Sequence, residues 1–271
     1  SLALLNIPPK LHKFKSPLME EEPNLTTVSH DHVTISDSLD YNCSRITIKA
    51  CEFVDCFSET IEEGHLGGAI FISFSYCDII QSQFDNCAAS EGGALFIVNS
   101  EINIKSTNFT NNQAVNAGGV AVFYHCRKFS IEKGFSMYNS AMYHGCFDIH
   151  EANGTIKSHI FLSNDAETDT AAISIRESVV SIDSCTFEHN DATTYPSTLQ
   201  IEEGELDFPT ICTIKNSRFF SNTDSDLQIS VHIFGNVTVS FTNCRFDLPL
   251  NTTILELKSP TVTYTNNKVE E

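Results

Sequence analysis

The chain has 271 residues, enough for one long domain or two ordinary ones and for a sizeable core. Its 35 Asp and Glu against 16 Lys and Arg give a formal charge of −19, a surface that repels phosphate and argues against nucleic acid as a partner. No run approaches 18 apolar residues, so no membrane span is expected in this chain.

Residues 1–40 read as an N-terminal cap or extension. The first thirty carry no repeat but hold Leu2, Leu4, Leu5, Ile7, Leu11 and Phe14. Solenoids need such caps, because an open end exposes strand edges that invite aggregation. Near the end of this segment His30 and His32 would share one face of an extended strand, but two ligands are too few to define a metal site.

From residue 41 to 271 the chain repeats itself. Phe84, Phe109, Phe135, Phe161 and Phe187 recur at intervals of 25 or 26 residues, and Phe53, Phe219 and Phe246 extend the series with small insertions. Three residues after each Phe stand Cys56, Cys87, Asn112, Tyr138, Asn164, Asn190, Asn222 and Pro249. A small-residue pair and an apolar run follow, as in GGAIFI from Gly67, GGALFI from Gly92 and GGVAVF from Gly118. Another strand-like piece precedes each Phe, as in ITIK from Ile46 and VSI from Val180. The pieces are β-branched and aromatic, alternate with period 2 and carry no helical stripe.

Three short strands in roughly 26 residues, with no room for a helix, predict one coil of a solenoid. The expected fold is all-β, a right-handed parallel β-helix of eight or nine coils with three sheets, roughly 40 Å long at the ordinary strand spacing. Each Phe is then expected to point inward and stack on its copies. The Asn three residues on is expected in a tight turn, bonding the copies above and below, and the glycine pair lets the chain turn and approach closely.

The combination of F-x-x-N, as in FTNN at Phe109, with G-G-A-[ILV] resembles the paired repeat motifs of the chlamydial polymorphic membrane proteins, with related repeats in surface-protein families of parasitic protists. The match runs from Phe53 to about Ile229. The resemblance implies a β-helix passenger displayed on a surface and adhering to host cells. No β-barrel translocator is present, so the chain would be at most an ectodomain.

Ten cysteines contain no CxxC and no zinc spacing, and read mainly as small buried apolar residues. Cys56 and Cys87 share a slot in adjacent coils, where a disulfide would be within reach. Glycosylation sequons at Asn24, Asn42, Asn108, Asn153, Asn236 and Asn251 exceed chance only slightly in so Asn-, Ser- and Thr-rich a chain.

Chemistry is expected where the repeats differ. The third strands end FDIHE, ISIRE and LQIEE, which stacks Glu151, Glu177 and Glu203 in one column and His150, Arg176 and Glu202 in another. Three carboxylates at coil spacing repel one another, so a pKa rises or a cation neutralises them. Acidic loops at Asp165, Glu167, Asp169, Asp191, Asp224 and Asp226 are a second place for Ca2+, the one cation to consider; no other cofactor is expected.

With Ile72, Ile97, Val122 and Ile149 taken as inward, Phe71, Phe96, Val98 and Phe123 make an apolar outer patch, covered by the N-terminal cap or by a partner. The leading functional expectation is a non-enzymatic, extracellular or cell-surface adhesin-like module that binds a protein or glycan. A polysaccharide-active enzyme using Glu151, Arg176, Glu177 and Glu203, and a structural rod that self-associates, are the alternatives.

Overall fold

The computed structural model describes residues 26–57, 66–193, 198–205, 208–222 and 229–270. They form parallel strands stacked as a β-solenoid. Three long sheets hold ten, ten and nine strands, so the coil count differs slightly from the eight or nine expected. The first sheet runs from Thr26–Asp31 to Thr261–Thr265, the second from Thr34–Ile35 to Lys268–Val269 and the third from Leu39–Asn42 to Ile254–Leu257. A fourth, five-stranded sheet that the repeat did not announce occupies the middle coils, where Ala89, Ala114, Ala141, Ala166 and Ala192 stack. The helix described is the four-residue Leu250–Thr253; no helix among the described residues is long and apolar enough to cross a membrane.

The solenoid begins earlier than expected. Thr26–Asp31 pairs in register with Ser44–Lys49, so part of the segment assigned to a cap is already a coil. The expected covering role of Leu2 to Phe14 lies outside the described residues.

Most strands of the first two sheets alternate a buried and a more solvated side, and most corners turn through a residue in the left-handed region. Asn86, Asn111, Ser163, His189 and Ser221 hold φ values of 47–54° at the corner after the Phe strand. The ladder asparagines are the next residue, not the corner residue itself. Asn139, Asn164, Asn190 and Asn222 each offer Oδ1 to the backbone N–H and the Nδ2 of the asparagine one coil before, at 2.8–3.2 Å. Their own Nδ2 groups reach back to buried carbonyls such as Phe109 O and Phe187 O. The ladder satisfies donors that the corner takes out of the sheets, which is why Asn stands there rather than an apolar residue.

Phenylalanines stack as the repeat predicts at both ends: Phe53 on Phe84 with centroids 4.5 Å apart, and Phe161, Phe187, Phe219 and Phe246 at 4.7–5.1 Å and nearly parallel. The series breaks in the middle. Phe109 pairs with Ser136, and Ser136 with Phe161, so Phe135 points outward and Tyr138 is an exposed corner residue, not a ladder member. Phe147 enters the gap edge-on, with centroids 6.4 Å from Phe109 and 5.4 Å from Phe161.

The glycines do what their spacing implies. Gly118 has φ 67°, and a Cβ on Gly119 would lie 2.1 Å from Gly145 O. The ten cysteines are free thiols, nine of them buried. Cys56 and Cys87, whose slots would allow a disulfide, are both free thiols that donate to backbone carbonyls, Cys56 to Ile35 O and Cys87 to Phe53 O.

Candidate functional site

The third sheet carries two outward columns, fixed by its register. One runs Asp40, Phe71, Phe96, Val122, Asp148, Ser174, Gln200 and His232; the other runs Asn42, Ser73, Val98, Tyr124, His150, Arg176, Glu202 and Phe234. The face is thus apolar in its early coils and polar in its later ones.

The apolar half corrects two expectations. Phe123 pairs with Ile97 and Ile149, so it points inward; it is fully buried against Phe129 and Phe147, and Val122 takes its place outside. The remaining patch is not exposed: Phe96, Val98 and Val122 are buried in a cluster with Leu66, Phe71 and Tyr124, and Phe71 stacks on Phe96 at 5.8 Å.

The polar half is a connected network. Thr170 Oγ1 donates to Gln200 Oε1 at 2.6 Å, Gln200 Nε2 donates to Glu202 Oε2 at 3.2 Å, and Glu202 Oε1 lies 3.6 Å from an Arg176 guanidinium nitrogen. Arg176 Nε and His232 Nε2 are buried atoms with no hydrogen-bond partner among the described residues. Beside this network, His144 Nδ1 lies 3.3 Å from Asp148 Oδ1. His144 stands where earlier coils have the residue just before the first glycine, in a column with Leu66, Glu91, Ala117 and Thr170.

Burial by itself would lower the imidazole pKa of His144 and raise the carboxyl of Asp148. Their mutual attraction wins on both sides, raising His144 and holding Asp148 down at about 2. Glu91 goes the other way: burial, then the Asp148 charge, push it up to about 7. Burial also raises Asp169 and lowers His232.

At the corner after this sheet the expected column of Glu151, Glu177 and Glu203 is reorganised. His125, Glu151 and Glu177 share the left-handed corner geometry, with φ near 50°, and Glu203 does not. Thr210 Oγ1 takes the backbone N–H of Glu177 at 2.8 Å, where a continuing coil would have used Glu202 O, and itself donates to Glu202 O. Glu203 therefore leaves the column and accepts from the backbone of Asn236 at 3.1 Å. In its place the corner gathers two imidazoles. His150 Nε2 lies 2.7 Å from Glu177 Oε2 and 3.5 Å from Glu151 Oε1, and His125 Nδ1 lies 2.7 Å from Glu151 Oε2. Carboxylates alternate with imidazoles, so the expected repulsion is relieved. Burial would raise Glu151, but the His125 bond and the nearby cationic groups outweigh it and the net shift is down. Burial, with the Arg176 charge, lowers His150.

Of the acidic loop, Asp165 and Asp191 pair across adjacent strands of the fourth sheet, and burial with the Asp191 charge raises Asp165. Asp224 and Asp226 lie outside the described residues. His30 and His32 do not converge: His30 meets Tyr41, while His32 turns the corner against Asp31.

Sequence reasoning missed Glu91, Tyr124, His125, His144 and His232. The available signal was irregularity itself: YHC at Tyr124 and YHG at Tyr143 interrupt an otherwise regular frame.

No protein-family model, no curated protein and no solved structure matches this chain.

Proposed function

We propose that the chain is a glycan-binding β-solenoid, a non-enzymatic adhesin-like module displayed on a surface or secreted, with the polar half of the third sheet as its binding strip. The observation that carries this reading is the pair of unpartnered atoms, Arg176 Nε and His232 Nε2, on neighbouring outward columns two coils apart. A buried polar atom without a partner is costly and rare in a native structure. A polyol laid along the strip supplies the missing partners, while Asp148, Glu202 and Gln200 offer acceptors for its hydroxyls. Rungs about 4.8 Å apart are comparable in length with one sugar ring, so an extended oligosaccharide keeps register with the coils. The excess of acidic residues favours a neutral glycan over an acidic one. The FxxN and GGA[ILV] motifs, which resemble those of bacterial surface adhesins, and the exposed sequons Asn42, Asn236 and Asn251 support surface display.

A glycan array probed with the intact chain, followed by calorimetry on the best oligosaccharide, tests this. Arg176→Ala is expected to weaken binding roughly tenfold or more, as for loss of a hydrogen bond to a charged group, while Lys49→Ala on the first sheet leaves it unchanged. A blank array, or binding that survives both Arg176→Ala and His232→Ala, overturns the reading.

One observation favours a second reading, hydrolysis of the bound glycan. Glu91 and Asp148 act on each other and have carboxyl pKa values pushed apart, to about 7 and about 2. One acid held neutral and one held ionised is the division of labour in glycoside hydrolysis. Release of reducing ends by the native chain and not by Glu91→Gln would establish it; no release from any glycan that binds would leave binding as the whole function.

A further inference from the structure

We infer that the corner residues His150, Glu151 and Glu177 form a binding site for a divalent transition metal of the zinc type. One ligand atom from each residue lies within 4.8 Å of the other two. Zinc bonds to imidazole nitrogen and carboxylate oxygen are about 2.0–2.2 Å long, which places neighbouring tetrahedral ligand atoms about 3.3–3.5 Å apart. His150 Nε2 and Glu151 Oε1 already stand at 3.5 Å. His150 Nε2 and Glu177 Oε2 stand at 2.7 Å, joined by the proton between them. Metal entry releases that shared proton to solvent: the imidazole is then neutral with its one hydrogen on Nδ1, the Nε2 lone pair bonds the metal, and the Glu177 carboxylate oxygen withdraws by roughly 0.6 Å to ligand spacing. Three protein ligands leave a fourth position open.

The surroundings already hold these groups in place. His125 Nδ1 bonds the other oxygen of Glu151 at 2.7 Å, the arrangement by which outer hydrogen bonds orient a ligating carboxylate. The Tyr124 ring meets the His150 ring edge-on at 5.1 Å and sets its plane. Gly204 closes over Glu177 so tightly that a Cβ there would lie 2.0 Å from its carboxylate carbon. The donor set selects the metal. Ca2+ requires six to eight oxygens, whereas one imidazole and two carboxylates at a compact corner suit zinc, cobalt or manganese. The corner thus departs from the expected column of Glu151, Glu177 and Glu203: His150 enters the ligand set and Glu203 does not. It borders the proposed glycan strip, but its occupancy is measured with the metal alone and without any glycan.

The test is calorimetric titration of the chelator-treated full chain with ZnCl2, with CaCl2 in parallel, and absorption spectroscopy with Co2+. One equivalent of Zn2+ is expected per chain, no comparable heat from Ca2+, and a Co2+ spectrum of low coordination number. His150→Gln and Glu177→Gln should each weaken Zn2+ binding by roughly 100-fold or more, and His125→Gln by about 10- to 100-fold as an outer-shell change. His189→Asn, at an exposed imidazole elsewhere on the rod, should leave binding unchanged. Since Glu177 is buried and its replacement carries a folding risk, Glu151→Gln, at a more accessible side chain, serves as the folded equivalent with the same expected loss. Absence of saturable Zn2+ binding overturns the inference. So does binding of equal strength in the native chain, His150→Gln and Glu151→Gln, which would place the metal at an adventitious surface histidine.

Discussion

Ser136 Oγ and His159 Nε2 lie 2.9 Å apart in the fully buried core, where every regular coil would have placed a phenylalanine ring. The second nitrogen of His159 lies 3.3 Å from Lys133 O, so the imidazole is bonded on both sides and sealed from water. Burial pushes its pKa down to about 4, against an ordinary 6.5. A lowered histidine makes folding weaker in acid: between pH 6.5 and pH 4 the unfolded chain binds a proton that the folded chain refuses. Stability is therefore lost as pH falls through that window. At pH 4.5 the loss from this group approaches about 2–3 kcal/mol. Urea unfolding of the native chain and of His159→Gln at pH 7 and pH 4.5 checks it. The native chain should lose that much more than the variant on acidification, and parallel losses would contradict the assignment.

The asparagine ladder should be costly to cut. Asn164 accepts from the backbone and side chain of Asn139 and donates to Ser136 O and Asn190 Oδ1. Asn164→Ala leaves these buried groups without partners, an expected loss of about 2–3 kcal/mol in chemical denaturation. Asn164→Asp should be worse at neutral pH, because it keeps the acceptor, removes both donors and adds a buried charge facing Asn190 Oδ1.

Within one column of small residues, exchanges between Gly and Ala should differ sharply in cost from one coil to the next. A Cβ at Gly119 would sit 2.1 Å from Gly145 O and 2.5 Å from Ser140 O, both rigid backbone. Gly119→Ala is expected to cost about 4 kcal/mol or more, or to prevent folding. Ala171, against the backbone of Gly145 in the same column, already accommodates a Cβ, so Ala171→Gly should cost only about 0.5–1 kcal/mol. Thermal denaturation of both variants decides it.

Two phenylalanines that the spacing treats alike should differ sharply. Phe187 is stacked between Phe161 and Phe219 and fully buried, so Phe187→Ala should cost about 3–5 kcal/mol through lost transfer energy and a cavity. Phe135 lies on the outward side of its strand, and Phe135→Ala should cost under about 1 kcal/mol. Equal costs would restore the frame that the spacing suggests.

That frame shows how far the sequence is legible. The intervals from Phe109 to Phe135 and from Phe135 to Phe161 are both 26, yet the structural slots stand at 109, 136 and 161, intervals of 27 and 25. Average spacing cannot see two compensating slips, and a slip of one residue exchanges the two faces of a strand. The same slip of one residue assigned Val122 inward and Phe123 outward, when the register does the reverse. His150, Arg176 and Glu202 were placed correctly because their coils keep a regular 26-residue step.

The parallel solenoid, its phenylalanine stack and its glycine corners follow from the repeat alone, because a position that recurs every coil meets its own copies whatever surrounds the rod. The corner site does not. Glu203 fits the repeat as well as Glu177, but it lacks the left-handed corner geometry, and Thr210 takes the Glu177 N–H that Glu202 O would have accepted. His125 and His150 join Glu151 and Glu177 only because three successive coils bring them to one corner. Local periodicity sets which element forms; the chemistry of the site depends on contacts between residues some 25 positions apart, where a single inserted hydroxyl such as Thr210 changes which groups meet.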